Sequence, residues 1–123
     1  MRVKDAVGRF GEQVAADYLN DAGWSIVERN WRCAHGEIDI IARDGAVLAI
    51  VEVKTRSSLA FGDPAEAVTR AKAARLRRLA ALWLTQRRES LELDGFPELR
   101  FDVVSVVRVV GGPPVVRHAK AAF

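Results

Sequence analysis

Apolar positions change rhythm several times along the chain, and each change marks an element. Over residues 5–22, Val7, Phe10, Val14, Tyr18 and Ala22 recur at helical spacing, with Ala15 and Leu19 widening the stripe and Gly23 as a stop. Gly8 and Gly11 are poor helix formers, so they predict either close packing against a neighbouring element or clearance for a ligand beside Glu12. At 100° per residue Glu12 falls at the edge of the stripe, where an acid is ordinarily solvated. Residues 24–31 read as a strand, followed by a connection that carries Cys33 and His35. Neither has a spaced partner for a transition-metal site, which makes His35 a loop residue and Cys33 half-buried filler. Two apolar runs, around Ile38–Ile41 and Ile50–Val53, read as strands buried on both faces. Residues 55–62 form a loop, and Asp63-Pro64-Ala65-Glu66 then has the cap, the first-turn proline and the capping-box acid of a helix start. The buried line of that helix runs Ala65, Val68, Lys72, Leu76, Leu79, Trp83. Residues 90–98, with Asp94-Gly95 and Pro97, form a loop; residues 99–110 form a strand interrupted by Asp102, which can salt-bridge or serve as an outer-shell group. After the break at Gly111-Gly112-Pro113-Pro114, residues 115–118 can add a short edge strand, with His118 exposed and a loose tail.

The predicted order is α-β-β-β-α-β with an optional last strand. Three consecutive strands form a meander and a fourth is reached through a helix. The expected fold class is α/β: one domain over residues 1–123, a mixed sheet flanked by helices.

The apolar rhythm is violated in two places. Glu37, Asp39, Glu52 and Lys54 sit inside the second and third strands. Alternate residues share a face, and Asp44-Gly45 is a strong two-residue hairpin signal. Closing that turn pairs Arg43 with Ala46, sets Asp39 opposite Ile50 and Glu37 opposite Glu52, and leaves Asp39 and Glu52 diagonal neighbours, roughly 5–8 Å apart on one face. A four-residue loop would put the two acids directly opposite each other; a three-residue loop would send them to opposite faces. Like charges gathered on one sheet face need neutralising: either the face is solvated and salt-bridged, or a hard divalent cation with oxygen ligands neutralises it, helped by Lys54 one pleat further on. The second violation is Lys72, in the middle of an apolar stripe: its stem snorkels to the surface, or its ammonium reaches the acidic face.

Composition narrows the class without naming the chemistry. The chain is 50% hydrophobic and 28% charged, as in a soluble globular protein. One cysteine excludes an internal disulfide and a cysteine-rich zinc site. The first residues lack the apolar core of a signal peptide and no apolar run reaches membrane-spanning length, so the expected location is cytoplasmic, with no membrane partner. The formal charge is only +3, but it is uneven: Arg70, Arg75, Arg77, Arg78, Arg87 and Arg88 follow one another with no acid between Glu66 and Glu89. That run is either a solvated face or a phosphate-backbone footprint.

Asp39, followed thirteen residues later by Glu52-Val53-Lys54 and preceded by a helix bearing Glu12, resembles the PD-(D/E)xK nuclease superfamily. The longer patterns Gly11-Glu12, Gly36-Glu37-Ile38-Asp39-Ile40-Ile41-Ala42-Arg43, Val51-Glu52-Val53-Lys54-Thr55-Arg56, Phe61-Gly62 and Arg100-Phe101-Asp102-Val103-Val104 are similar to the YraN family of bacterial nuclease-like proteins, over nearly the whole chain. The order of site residues is also similar to that of archaeal Holliday junction resolvases. Glu37-Ile38 stands where the superfamily name has a proline. The resemblance implies a restriction-endonuclease-like fold and Mg2+- or Mn2+-dependent phosphodiester hydrolysis in DNA. On that basis Asp39 and Glu52 become the expected metal ligands, with the Val53 carbonyl a candidate third. Glu12 is expected to hold a second ion or an outer-shell water, and Lys54 to position or deprotonate the attacking water. Glu37 and Lys72 are second-tier candidates, and Arg56, Arg70, Arg77 and Arg78 are the expected nucleic-acid contacts. Few side chains are arranged to read bases, so the expected selectivity is for structure rather than sequence. Resolvase-like cutting of two strands would need a homodimer. The rival expectation is a non-catalytic nucleic-acid-binding module that keeps the nuclease fold.

Overall fold

The computed structural model describes residues 3–57, 63–87 and 98–123. The Phe61-Gly62 pair and the turn signals at Asp94-Gly95 and Pro97 lie outside the described residues. In order, the elements are helix α1 (Val3–Asp21), strands β1 (Ser25–Cys33), β2 (Gly36–Asp44) and β3 (Val47–Arg56), helix α2 (Arg70–Arg87), and strands β4 (Glu98–Val107) and β5 (Val115–Ala119). The strands form one sheet in the order β1-β2-β3-β4-β5. The β1–β2, β2–β3 and β4–β5 pairs are antiparallel and β3–β4 is parallel. This is a mixed five-stranded α/β sheet with two helices, consistent with a restriction-endonuclease-like core.

Two apolar clusters cover the two sheet faces. Ala15, Ala16 and Leu19 of α1 pack on Ile40, Ala42, Ala49, Val51, Val104 and Val106. Leu76, Leu79, Ala80 and Trp83 of α2 pack with Ile41, Leu48 and Ile50. The strand residues in the two sets alternate, as pleating requires. The buried stripe of α1 is therefore centred on Gly11, Ala15 and Leu19, whereas Phe10, expected inside, is 41% exposed. The two glycines of α1 differ. A Cβ on Gly11 would collide with the Thr55 side chain of β3, so Gly11 lets the helix lie against the sheet; Gly8 has nothing within 4 Å and plays no such part.

Four expectations are corrected. The β2–β3 turn is Gly45-Ala46 between Asp44 and Val47, one residue later than Asp44-Gly45. Gly45 has φ 61° and Ala46 is not among the residues with positive φ, so positive φ is confined to the first central position, as in a type II′ turn. The shift moves the pairing by two residues and preserves the faces. Next, Asp63-Pro64-Ala65-Glu66 does not open the long helix. Asp63 caps a separate 3-10 turn, Pro64–Ala67, with Ala65 N–H donating to its Oδ1 (2.9 Å). The chain is then extended at Val68, and α2 starts after Thr69, whose Oγ1 accepts from the Lys72 N–H at 3.1 Å. Third, the tail is not loose: Ala121 and Ala122 N–H donate to Asp102 Oδ1 and the Phe101 carbonyl, and Phe123 packs on Phe101. Fourth, His118 is not exposed: the residue is half-buried and its side chain, only 6% exposed, lies between Asp102 (2.9 Å) and Tyr18 (3.1 Å). Among the described residues no helix is long and apolar enough to cross a membrane.

A candidate acidic centre at the fork of two strands

The β2–β3 ladder ends at Ile40↔Val51, and one step further in that register Asp39 faces Glu52. Asp39 continues the row of Ile41, and Glu52 the row of Leu48 and Ile50, so both acids point to the α2 side. Where the strands part, Asp39 replaces the lost backbone partner: the Val53 N–H donates to its Oδ2 at 2.8 Å. An open cleft of about 400 Å³ lies above, with Glu37, Asp39 and Glu52 on its sheet side and Lys72, Arg75 and Leu76 on its helix side.

Lys72 resolves its own ambiguity. Its ammonium does reach the acids, with Nζ 2.9 Å from Glu52 Oε1. Lys54 Nζ stands 4.0 Å from the same oxygen. Glu52 is buried, so its charge is met at close range by these two cations. Glu37, more than half exposed, pairs with Arg32 at 3.1 Å. Glu12, half-buried on α1, lies within electrostatic reach of Asp39 but not on the cleft wall.

The charges are unevenly balanced. Burial, then repulsion from Glu52, opposed by the Val53 hydrogen bond and reinforced by Glu12 and Glu37, pushes the Asp39 carboxyl up to about 7. Burial, together with the neighbouring Lys72 ammonium, pulls Lys54 below its ordinary value, against the pull of Glu52 and Asp39. Lys72 moves the other way: burial would lower it, but the hydrogen bond and charge of Glu52 raise it. Among the described residues, no three His, Cys, Asp or Glu side chains stand close enough to form a metal-binding group. The donor set is a carboxylate pair, and its fit to a divalent cation rests on Asp39 and Glu52 facing each other on one side of the sheet: a cation between them would offset the repulsion that, after burial, raises Asp39.

The basic helix divides its arginines. Arg87 is held by Glu28 (3.2 Å), whose carboxylate is lowered, against its burial, by Arg87 and by the Trp83 indole N–H at 2.9 Å. Arg77 lies over the Phe101 and Phe123 rings, 5.6 and 5.8 Å from their centroids. Arg70 and Arg78 are exposed, and Arg56 is half-buried at the end of β3. The sequence did not single out Arg75 as a cleft residue, although its place one turn beyond Lys72 was a usable signal. A second polar centre forms around Asp102, whose salt bridge was an open expectation and whose His118 partner was not foreseen. Asp102, fully buried, accepts from Arg100 (2.9 Å) and Ala121 N–H and meets His118 Nε2 at 2.9 Å. Burial would raise its pKa, but these partners bring it below the ordinary carboxylate value.

A model of the uncharacterised protein family UPF0102 matches residues 11–106. The chain belongs to the UPF0102 family. This is the YraN family that its motifs resemble. Whole-length relatives agree. A UPF0102 protein of Beutenbergia cavernae is 55% identical over 98% of both chains. One of Nocardia farcinica is 54% identical over 98% of this chain and 91% of its own, and one of Acidothermus cellulolyticus 46% identical over 98% and 95%.

Proposed function

We propose that this UPF0102 member is a metal-dependent endonuclease that hydrolyses phosphodiester bonds in DNA, selecting by structure rather than sequence. The observation that carries the reading is Asp39: an acid held near pKa 7 by burial and by other acids, beside Glu52 in an open cleft. Such a perturbed group in a cleft is the usual mark of a working site. Asp39 and Glu52 would hold Mg2+ or Mn2+, with Glu12 nearby for a second ion or a bound water. When bound, the ion would supply charge neutralisation at the phosphate and a more acidic water. Lys54, its pKa lowered, is suited to hold or accept a proton at Nζ beside the scissile group. Glu37 and Lys72 adjust the charge at the cleft, and Arg56, Arg70, Arg77 and Arg78 would hold the backbone.

One observation favours the rival, a nucleic-acid-binding module that does not cut. The Lys72–Glu52 pair already neutralises one acid without a metal. A cleavage screen with magnesium and with manganese, over linear, single-stranded, flapped and four-way DNA, separates the two. Cutting that Asp39→Asn and Lys54→Ala both abolish supports hydrolysis. Binding without cutting of any substrate would leave only the rival.

A further inference from the structure

Beyond the acidic cleft, on the outer side of α2, lies a second concavity of about 550 Å³. Its floor is Leu79, Ala81 and Leu82, and its polar rim is His35, Arg75 and Arg78. Arg75 and Leu79 line both concavities, so the two are adjacent. Gly36 makes the junction possible. At φ 142°, it brings the β1–β2 turn against α2, where a Cβ would lie 3.3 Å from Leu79 and 3.4 Å from Arg75. Arg75 and Arg78 are neighbours on the helix surface, both exposed, and neither meets a carboxylate among the described residues. Leu82, on that floor, is 39% exposed.

We infer that this trough holds an unpaired nucleic-acid segment continuing out of the acidic cleft. The inference rests on the proposed function, in that it takes the cleft to be a nucleic-acid site. The chemistry of the rim and floor selects the occupant. A duplex flank presents phosphates only and would leave the apolar floor uncovered. An unpaired nucleotide presents both a phosphate, which suits Arg75 and Arg78, and a base face, which suits the leucines and can stack on the imidazole of His35 or a guanidinium plane. The trough thereby favours substrates in which a single strand leaves a duplex, such as flaps and overhangs.

The test uses anisotropy titrations of the full chain in calcium. The probes are a fluorescent blunt duplex and the same duplex carrying a single-stranded extension. Wild type should bind the extended form more tightly. Leu82→Ser and His35→Ala, both at exposed positions outside the cleft, should cut that preference roughly tenfold, on the scale of removing the stacking of one base, with unchanged thermal melting. A preference that survives both substitutions overturns the inference, as does an equal loss on the two probes. So does a light-scattering mass that halves in Leu82→Ser, which would place a second copy of the chain in the trough. The two readings fail separately. Preference without cleavage removes hydrolysis and leaves the trough; cleavage without any effect of Leu82 or His35 does the reverse. If no DNA binds at low salt, both fall.

Discussion

Asp39 and Asp102 are each an acid flanked by apolar residues in a strand, and they impose opposite pH dependences. The carboxyl of Asp39 is raised from an ordinary 3.8 to about 7, so the folded state holds its proton more tightly than the unfolded chain does. Its contribution favours folding at low pH and is lost as pH rises from 3.8 towards about 7, at roughly 1.4 kcal/mol per unit of displacement. Asp102 is lowered, so its contribution is present above its ordinary value and lost on acidification. Asp39→Asn keeps an oxygen acceptor for the Val53 N–H and removes the repulsion. Without metal it should be at least as stable as wild type at neutral pH, with the gap opening across that rising window, as read by thermal melts over a pH series. It should also lose most of the manganese-induced rise in melting temperature; equal rises in the two proteins would refute the metal reading. Sequence alone could not separate the two aspartates. That Glu52 shares a face with Asp39 in the adjoining hairpin strand was legible by counting; that the two face each other, and that the Val53 N–H meets Asp39, was not. The partners of Asp102 include His118, sixteen residues on, in a segment with no pattern to assign its burial.

At the level of elements, helical periodicity located α1 but not its line of closest approach to the sheet. The two glycines test that line. Gly11→Ala must displace Thr55 or the helix and should cost about 1–3 kcal/mol. Gly8→Ala meets nothing and should stabilise by roughly 0.5–1 kcal/mol, both read from denaturant unfolding. The hairpin shows why a turn signal fixes a face more firmly than a register. Sliding the turn from Asp44-Gly45 to Gly45-Ala46 adds two to the sum of paired numbers, which changes partners but keeps each residue on its side. The acids therefore meet on one face as expected, opposite rather than diagonal. The start of α2 escapes the sequence pattern because Asp63-Pro64 caps a single 3-10 turn as well as it would a long helix; α2 itself is capped by Thr69.

Across the whole molecule, charge is segregated: acids gather at the strand fork, while α2 carries arginines on its outward surface. Chemistry and affinity should therefore respond to different substitutions. Lys54→Ala should abolish cleavage and leave binding in calcium nearly intact. Changing Arg70, Arg77 and Arg78 to Ala together should weaken binding and flatten its salt dependence by about 0.7–0.9 log units of slope for each phosphate no longer neutralised. A triple variant with the wild-type slope would make these arginines a solvated face. The layered α/β architecture, the meander and the crossover through a helix were all legible from apolar rhythm. The edge place of β5 was an open expectation, whereas the parallel pairing of β4 with β3 depends on long-range contact that no local pattern encodes.

The strand fork also has a consequence in time. Asp39 and Glu52 lie on one hairpin, closed by a two-residue turn, whereas Lys72 comes from a helix further along the chain and the parallel β4 from further still. Local pairings close first because their loops cost least entropy. The two carboxylates are thus brought together with only Lys54, 4.0 Å from Glu52, beside them and before the closer Lys72 ammonium arrives, and the folding barrier bears part of their repulsion. Asp39→Asn should accordingly speed refolding at neutral pH while leaving the unfolding rate nearly unchanged, in stopped-flow experiments without metal. An effect confined to unfolding would mean that the acids meet only after the barrier is crossed.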